Sequence, residues 1–449
     1  MFKTPLAKQK TNRTLYSPAP NLKLLTSLVG EGGETETPLK AKLSRVTTAQ
    51  HNPKPQQYRS ETVIICVQHI LETTASLFNA FLKLGLDPNN IYLMGKCYST
   101  CKHTQGKIKE NLNIKEVNDS PLPKRLGEFA PTIEVAIRQL FAKIIQNIQT
   151  MLNKPKKIIL LDEGAKLLIP DLLAILKEYP IFAVEQTTAG HRKYKAYTDT
   201  DSDLPWISVA RSDLKLKQES PLIAEAITAR VQQSLQGKQK LRCGVIGLGA
   251  IGEQVAKKLT ELGHEVSFYD PEIYNANYGC YNIAAELIKN SEYIFGCTGL
   301  DTLHEVDLAQ VVNGEKHFIS CSSEDIEFNT FLRYIQGLID RHEFDFRGTA
   351  LDDINLTLNN QPVTIHRGGF PINFDGGRHS VAPEKIAVTR AALLTAVYQW
   401  LCVAPKYAYT HKGLVELDKE AQQYIVKNWK QLLAEDIMGD DKSPCVQLC

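Results

Sequence analysis

The chain has almost no net charge: 52 basic and 50 acidic residues leave +2 across 449 positions. So weak a field excludes nucleic acid and membrane surfaces as expected partners, and leaves partners to be sought at individual sites. No apolar run approaches the roughly 18 residues that cross a bilayer, and the N-terminus has no continuous apolar block of the secretory kind. Acidic residues are missing before Glu31, while Lys3, Lys8, Lys10, Arg13 and Lys23 are present. That bias hints at an organelle transit peptide, yet Pro5, Pro18 and Pro20 spoil an amphipathic helix. A flexible polar arm over residues 1–60, with one short helix near Leu39 to Leu43, is the better reading. Ten cysteines are too few for a disulfide framework in a chain of this length. Cys66, Cys297 and Cys402 sit in apolar runs, as buried reduced thiols do, which implies a cytoplasmic setting. Cys97, Cys101 and His103 offer three zinc donors, but their spacing is unusual and no second pair completes the set, so no metal is expected. Internal repeats are absent apart from the recurrence of α/β units.

What is present is concentrated in Cys243-Gly-Val-Ile-Gly-Leu-Gly-Ala-Ile-Gly252, with Asp270 eighteen residues further on. Leu241 to Ile246 reads as a buried parallel strand. Gly247 permits the tight turn out of it, Gly249 lets the backbone approach a pyrophosphate, and Gly252 allows the next helix to pack closely on the sheet. That helix carries Val255, Ala256, Leu259 and Leu262 at helical spacing. A second strand, Glu265 to Tyr269, delivers Asp270 to a ribose, where a carboxylate accepts from the hydroxyls and repels the extra phosphate of NADP. The expected cofactor is NAD.

Around this motif the pattern predicts an α/β fold: a Rossmann-type, doubly wound NAD-binding domain plus a discontinuous α/β substrate domain. The substrate-type unit spans residues 61–220, with strands at Thr62 to Val67, Ile91 to Met94 and Lys157 to Leu161. Helices are expected over Glu72 to Leu86 and Pro131 to Leu152. Its strand ends would carry His69, Asp162, Glu163, Glu185 and Gln186. The NAD-binding unit spans 221–380, opened by a helical linker from Pro221 to Leu235 and continued by strands Tyr293 to Cys297 and His317 to Cys321. Residues 381–449 supply a long buried helix, Ile386 to Leu401, that returns to the first unit, and then a tail. Two crossings between units imply a hinged cleft.

Three segments resemble the S-adenosylhomocysteine hydrolase family over roughly residues 60 to 405. The first is Gln68-His-Ile-Leu-Glu-Thr-Thr-Ala-Ser-Leu77 with Lys96-Cys-Tyr-Ser-Thr100. The second is Leu160-Leu-Asp-Glu-Gly164 with Val184-Glu-Gln-Thr-Thr-Ala-Gly190, and the third is the cofactor domain with Asn373 and His379 near its exit. The resemblance implies a bound NAD that oxidises a ribose carbon, eases elimination and then returns its hydride. It places Lys215 as the catalytic lysine, His69 as a substrate-site histidine, and Glu163 and Gln186 where the family has Asp and Glu. His379 joins this catalytic set. Leu71 and Ser323 replace a substrate-contacting hydroxyl residue and a second histidine. On the cofactor side it implies roles for Thr187, Thr188, Asn275, Thr298 and Asn373 beside Asp270. The family's C-terminal Lys-Pro-Asp-His-Tyr-Arg-Tyr is missing, the chain ending instead with Cys445 and Cys449 in its last five residues. A homo-oligomer remains compatible with the long helices.

The expectation is therefore a divergent adenosylhomocysteinase-like enzyme performing a redox step on a nucleoside-like or other hydroxylated small molecule. Two alternatives stand beside it. An NAD-binding regulatory pseudoenzyme would explain Gln186, Leu71 and Ser323. A 2-hydroxyacid dehydrogenase-like oxidoreductase would explain Val245 to Gly252 and Tyr269-Asp-Pro271, but needs an arginine soon after Cys297, which Cys297-Thr-Gly-Leu-Asp-Thr-Leu-His304 does not offer. Plain structural roles also compete: His69 as a hydrogen-bonded core residue, Lys215 on a solvated face, Asp162 and Glu163 at a helix start, His379 in a loop.

Overall fold

The structure is a computed structural model that describes residues 61–151, 153–200, 203–235, 240–270, 283–303 and 308–440. The expected N-terminal arm, Asn275 and the terminal cysteines lie outside the described residues.

Two parallel sheets form the frame. The first has seven strands in the order β13-β6-β5-β4-β1-β2-β3, where β1 is Thr62–Ile70, β2 Ile91–Thr100, β3 Glu116–Asp119, β4 Lys157–Asp162, β5 Ile181–Glu185, β6 Pro205–Ser208 and β13 Gly413–Val415. All its pairings are parallel. Strands β1 and β4 are buried along their whole length, which is why they read as unbroken apolar runs rather than alternating ones. The second sheet has six strands in the order β11-β12-β10-β9-β7-β8, with β7 Arg242–Ile246, β8 Glu265–Tyr269, β9 Tyr293–Gly296, β10 Lys316–Ser320, β11 Ile354–Leu358 and β12 Gln361–Ile365. Only β11 is antiparallel to its neighbour. The turn joining it to β12 places Asn359 and Asn360 at φ of 51° and 58°, the left-handed geometry of a tight hairpin.

The principal helices are α1 Glu72–Lys83, α2 Phe129–Thr150, α3 Thr188–Thr200, α4 Ser220–Leu235, α5 Ala250–Glu261, α6 Asn329–Asp340, α7 Pro383–Cys402 and α8 Lys419–Asp440. Helix α7 leaves the second sheet and packs its Ala391, Leu394, Val397 and Leu401 into the core of the first, against α1 and β5. It is buried nearly throughout, as the unbroken apolar reading of Ile386 to Leu401 requires. Its last carbonyls are met by a buried lysine: Lys157 Nζ donates to Trp400 O at 2.9 Å, to Leu401 O at 3.2 Å and to Val403 O. A cation there offsets the negative end of the helix dipole. The second sheet repeats the device, Lys316 Nζ donating to Lys289 O and Ser291 O at 3.0 and 2.7 Å. Burial holds both amines down, to about 8.

Some elements differ from their sequence reading. Strand β1 runs on through His69, and β2 extends to Thr100, so Lys96 lies inside a strand. The helix expected to reach Leu86 stops at Lys83, where Gly85 at φ 89° turns the chain. No described helix is long and apolar enough to cross a membrane.

Candidate active site

Ligands of open parallel sheets lie at the carboxyl ends of the strands where strand order reverses. In the second sheet the reversal falls between β7 and β9. Gly247, directly after β7, has φ of +92°, and a Cβ added there would meet Thr298 Cγ2 at 2.7 Å. A Cβ on Gly252 would lie 1.8 Å from the Gly247 carbonyl oxygen, whereas one on Gly249 would meet nothing within 4 Å. The first and third glycines thus close the turn upon itself, and the second leaves open space at the positive end of α5. Asp270, at the end of β8, accepts the Leu248 N–H at 2.6 Å, which sets its carboxylate beside the same turn. This cradle fits a pyrophosphate and an adjoining ribose. Across it, Thr298 Oγ1 bonds Glu327 at 3.0 Å, and the Gly299 N–H bonds the same carboxyl. Burial pushes the Glu327 carboxyl up to about 7.

In the first sheet the reversal falls between β1 and β4, whose ends carry His69 and Glu163. His69 Nε2 lies 3.4 Å from Glu163 Oε2, and its Nδ1 lies 2.6 Å from Ser99 Oγ. Burial pulls the imidazole down to about 4 against the pull of Glu163, helped by the charges of Lys96, Arg390 and Lys215. It is neutral at pH 7, with the carboxylate favouring a proton on Nε2. Phe374 stacks on the ring at 4.4 Å and Tyr98 meets it edge-on at 6.0 Å, so the exit of the second sheet roofs the end of the first.

Glu163 is buried and bonded to the fully buried Lys96, while Ser323 donates to it at 3.2 Å. Burial alone would raise its carboxyl, but the charges around it, those of His69 and then Lys96, hold it down at about 2. Lys96 also reaches Glu324 at 3.4 Å, and Lys166 reaches the same carboxyl at 2.7 Å. Glu324 and Ser323 come from the loop after β10, so this charge cluster joins the two sheets.

Asp162 is no helix cap. It accepts from the N–H groups of Glu163, Lys166 and Leu167 and from Tyr194 Oη, each at 2.8–2.9 Å. Neighbouring Glu185 accepts from Gly164 N at 3.1 Å and Ala165 N at 2.9 Å, and from Thr187 N and Oγ1 at 2.6 and 2.8 Å. These two acids pin the loop that presents Glu163. Burial and Asp162 push Glu185 up to about 8. Gly190 belongs to the same arrangement, since a Cβ there would lie 2.2 Å from the Glu185 carboxyl carbon.

The remaining expected residues divide. Lys215 opens a π-helical turn, Lys215–Glu219, that runs into α4; such turns concentrate at functional sites. Its Nζ donates to Gln186 O at 2.6 Å and pairs with Glu219 at 3.3 Å. Gln186 therefore offers its main-chain carbonyl, and its side-chain oxygen is buried without a hydrogen-bond partner. Thr187 caps α3: its hydroxyl donates to Glu185 and accepts from Gly190 N at 2.9 Å. Thr188 is exposed at that helix start, and Asn373 is buried beside Phe374. His379 is half-buried with Nδ1 unpartnered, in a loop docked by the Arg378 carbonyl to Glu72 N at 3.2 Å. Sequence reasoning missed Lys96, Lys166 and Glu324. A lysine after the apolar run Ile91 to Met94 was a usable signal for the first.

Residues 215–304 match the family model described as D-isomer specific 2-hydroxyacid dehydrogenase, NAD binding domain. The chain carries an NAD-binding domain. This match corrects the order of the sequence readings, because it supports the dehydrogenase-like oxidoreductase over adenosylhomocysteinase-like hydrolysis. An uncharacterized protein of Mycobacterium tuberculosis, found in two strains, is 26% identical over 361 residues, covering 79% of this chain and 68% of that one. Among solved structures, a dehydrogenase from Rhizobium meliloti is similar at 13% identity and TM-score 0.25, over 37% of this chain; the match spans 62% of that relative, less than two thirds. A 2-hydroxyacid dehydrogenase from Ketogulonicigenium vulgare is similar at 16% identity and TM-score 0.34, over 55% of this chain and 81% of the other.

Proposed function

We propose that this chain is an NAD-dependent oxidoreductase that interconverts a hydroxyl and a carbonyl group on a small molecule held between the two sheets. In this reading residues 61–220 with the helix returning after 381 form the substrate half, and 221–380 the cofactor half. One observation carries it. The carboxyl-end crevices meet: a Cβ on Gly299, in the loop after β9, would lie 3.7 Å from Ala189 at the start of α3.

NAD, when bound, supplies the hydride acceptor or donor, held by Gly247, Gly249, Gly252 and Asp270, with Thr298, Thr188 and Asn373 on the nicotinamide side. The protein's own part is proton handling. Lys215 has three N–H donors, one of them given to Gln186 O, with Glu219 within ion-pair distance at 3.3 Å. A remaining donor is available to hold a proton at the substrate oxygen or return it. His69, neutral and with both ring nitrogens engaged by Ser99 and Glu163, holds the wall of the crevice, while Tyr98, Phe370 and Phe374 exclude water. Glu163 is too weak a base to lift a carbon-bound hydrogen with its carboxyl held near about 2.

The test uses the full chain. Mass spectrometry of copurifying small molecules selects candidate substrates, and each is mixed with the NAD-loaded protein while the near-ultraviolet band of reduced nicotinamide is followed. A hydroxylated compound should raise that band, and Lys215→Met should abolish the rise with NAD affinity unchanged. NAD binding without reduction by any copurifying compound would overturn the reading in favour of a non-catalytic NAD-binding regulator.

A further inference from the structure

Four cations belong to the charge cluster around His69, Glu163 and Glu324. Three have a carboxylate within ion-pair distance: Lys96 with Glu163 and Glu324, Lys166 with Glu324, and Lys215 with Glu219. The fourth is Arg390, near the middle of α7 and only 5% exposed. Among the described residues no carboxylate lies within ion-pair distance of its guanidinium. Its one hydrogen bond is a long contact from Nη1 to Gln68 Oε1 at 3.4 Å, and its Nε has no partner. Gln68, on β1 beside His69, is itself fully buried, with its Nε2 unpartnered. The acids whose charges act on Arg390 are Glu219 and Glu163; each lies within ion-pair distance of a lysine, and Glu219 keeps one buried oxygen without a hydrogen bond.

Among the described residues the other buried lysines are satisfied. Lys96 has its carboxylates, and Lys157 and Lys316 have main-chain carbonyls. Burying an unpaired guanidinium costs several kcal/mol, and a helix otherwise as apolar as α7 has no packing reason to carry one. A planar fork of donors matches the paired oxygens of a carboxylate or phosphate.

We infer that Arg390, with the amide of Gln68 beside it, is a specificity-determining residue that binds an oxyanion group of the substrate in the crevice between β1 and β4. This rests on the oxidoreductase reading for the word substrate, but not for the anion site. The group enters as the missing counter-charge and leaves the Lys96–Glu163 pair and the Lys215 proton undisturbed. A carboxylate and a phosphate monoester share the required chemistry.

The experiment titrates acetate and inorganic phosphate separately into the NAD-loaded full chain by calorimetry, with thermal melting in parallel. One of the two anions should bind and raise the melting temperature, and which one does so separates carboxylate from phosphate. Arg390→Met should weaken that anion about tenfold or more, the loss expected for a charged hydrogen-bonded contact. The anion-free variant should melt no lower than the unmodified chain, since an unpaired buried cation has been removed. If Arg390→Met does not fold, Arg390→Lys decides: charge without the fork should bind the anion several-fold more weakly, by about the cost of one charged hydrogen bond. Absence of binding by both anions, or equal affinity in the variants, overturns the inference. Hydride transfer from an uncharged alcohol with a KM indifferent to Arg390→Met would sink this site and spare the oxidoreductase reading. Anion binding lost in Arg390→Met, with no compound able to reduce NAD, would do the reverse.

Discussion

The two sheets place their crevices by the same rule and fill them by opposite means. At the reversal between β7 and β9 the site is backbone: three glycines, a helix end and a single acid. At the reversal between β1 and β4 it is side chain, a packed set of Lys96, Glu163, His69, Lys166 and Glu324 with almost no open backbone. A surface that has to take the same cofactor at every turnover can be made from peptide groups, which cannot rotate away. A surface built from ionisable groups must have those groups held in place by one another.

That contrast can be broken from the charged side first. Glu163→Gln would leave Lys96 buried beside a neutral amide, and the expected loss is about 3–5 kcal/mol of folding stability by denaturant titration. The acid-side behaviour follows. Because its carboxyl titrates near about 2 when folded against an ordinary 4.5, Glu163 contributes stability that is present above the ordinary value and lost as pH falls through about 2. The variant should not show that loss. A variant as stable as the parent would mean that the charges of this crevice do not hold each other.

On the backbone side, Gly252→Ala forces a methyl to within 1.8 Å of the Gly247 carbonyl. NAD affinity should fall by about 3 kcal/mol or more, roughly a hundredfold, with the circular dichroism of the sheet little changed. Unaltered NAD affinity would show that the turn is not the cradle. A smaller effect belongs to Asp270→Ala, which should weaken NAD by about 1–3 kcal/mol and narrow its advantage over NADP; equal affinities for the two cofactors in the unmodified chain would remove the ribose assignment. Glu185→Gln changes the slope with pH rather than the level. Folded Glu185 titrates near about 8 rather than 4.5, so it favours the fold at low pH and gives that contribution up as pH rises through 8. Melting curves of the variant should be flatter between those values, and an unchanged slope would show that Glu185 does not titrate there.

The same difference explains what could be read in advance. Gly247, Gly249, Gly252 and Asp270 were legible because glycine spacing reports backbone geometry directly, and β8 was expected over the same residues that form it. His69 and Glu163 were placed at strand ends, and they and Lys215 gained roles through a resemblance whose cofactor half matches, over residues 215–304, the NAD binding domain model of D-isomer specific 2-hydroxyacid dehydrogenases. Gln186 was read as a lost acid, yet Glu185 beside it carries the structural duty and Gln186 lends only its carbonyl. Glu324 was out of reach: it meets Lys96 across 228 positions, and nothing local marks a surface-type acid as the partner of a lysine in a strand. The hairpin of β11 and β12 was legible in Asn359-Asn360 and was overlooked.

Helix α7 also sets a timetable. Strands β7 to β12 occupy one unbroken stretch, Arg242 to Ile365, and can close their sheet as soon as that stretch has left the ribosome. The earlier-made sheet cannot. Its Lys157 waits for the carbonyls of Trp400 and Leu401, 243 and 244 positions later, and its edge waits for β13. Synthesis runs from the N-terminus, so the half begun first is finished last, and its apolar face stays uncovered for that interval.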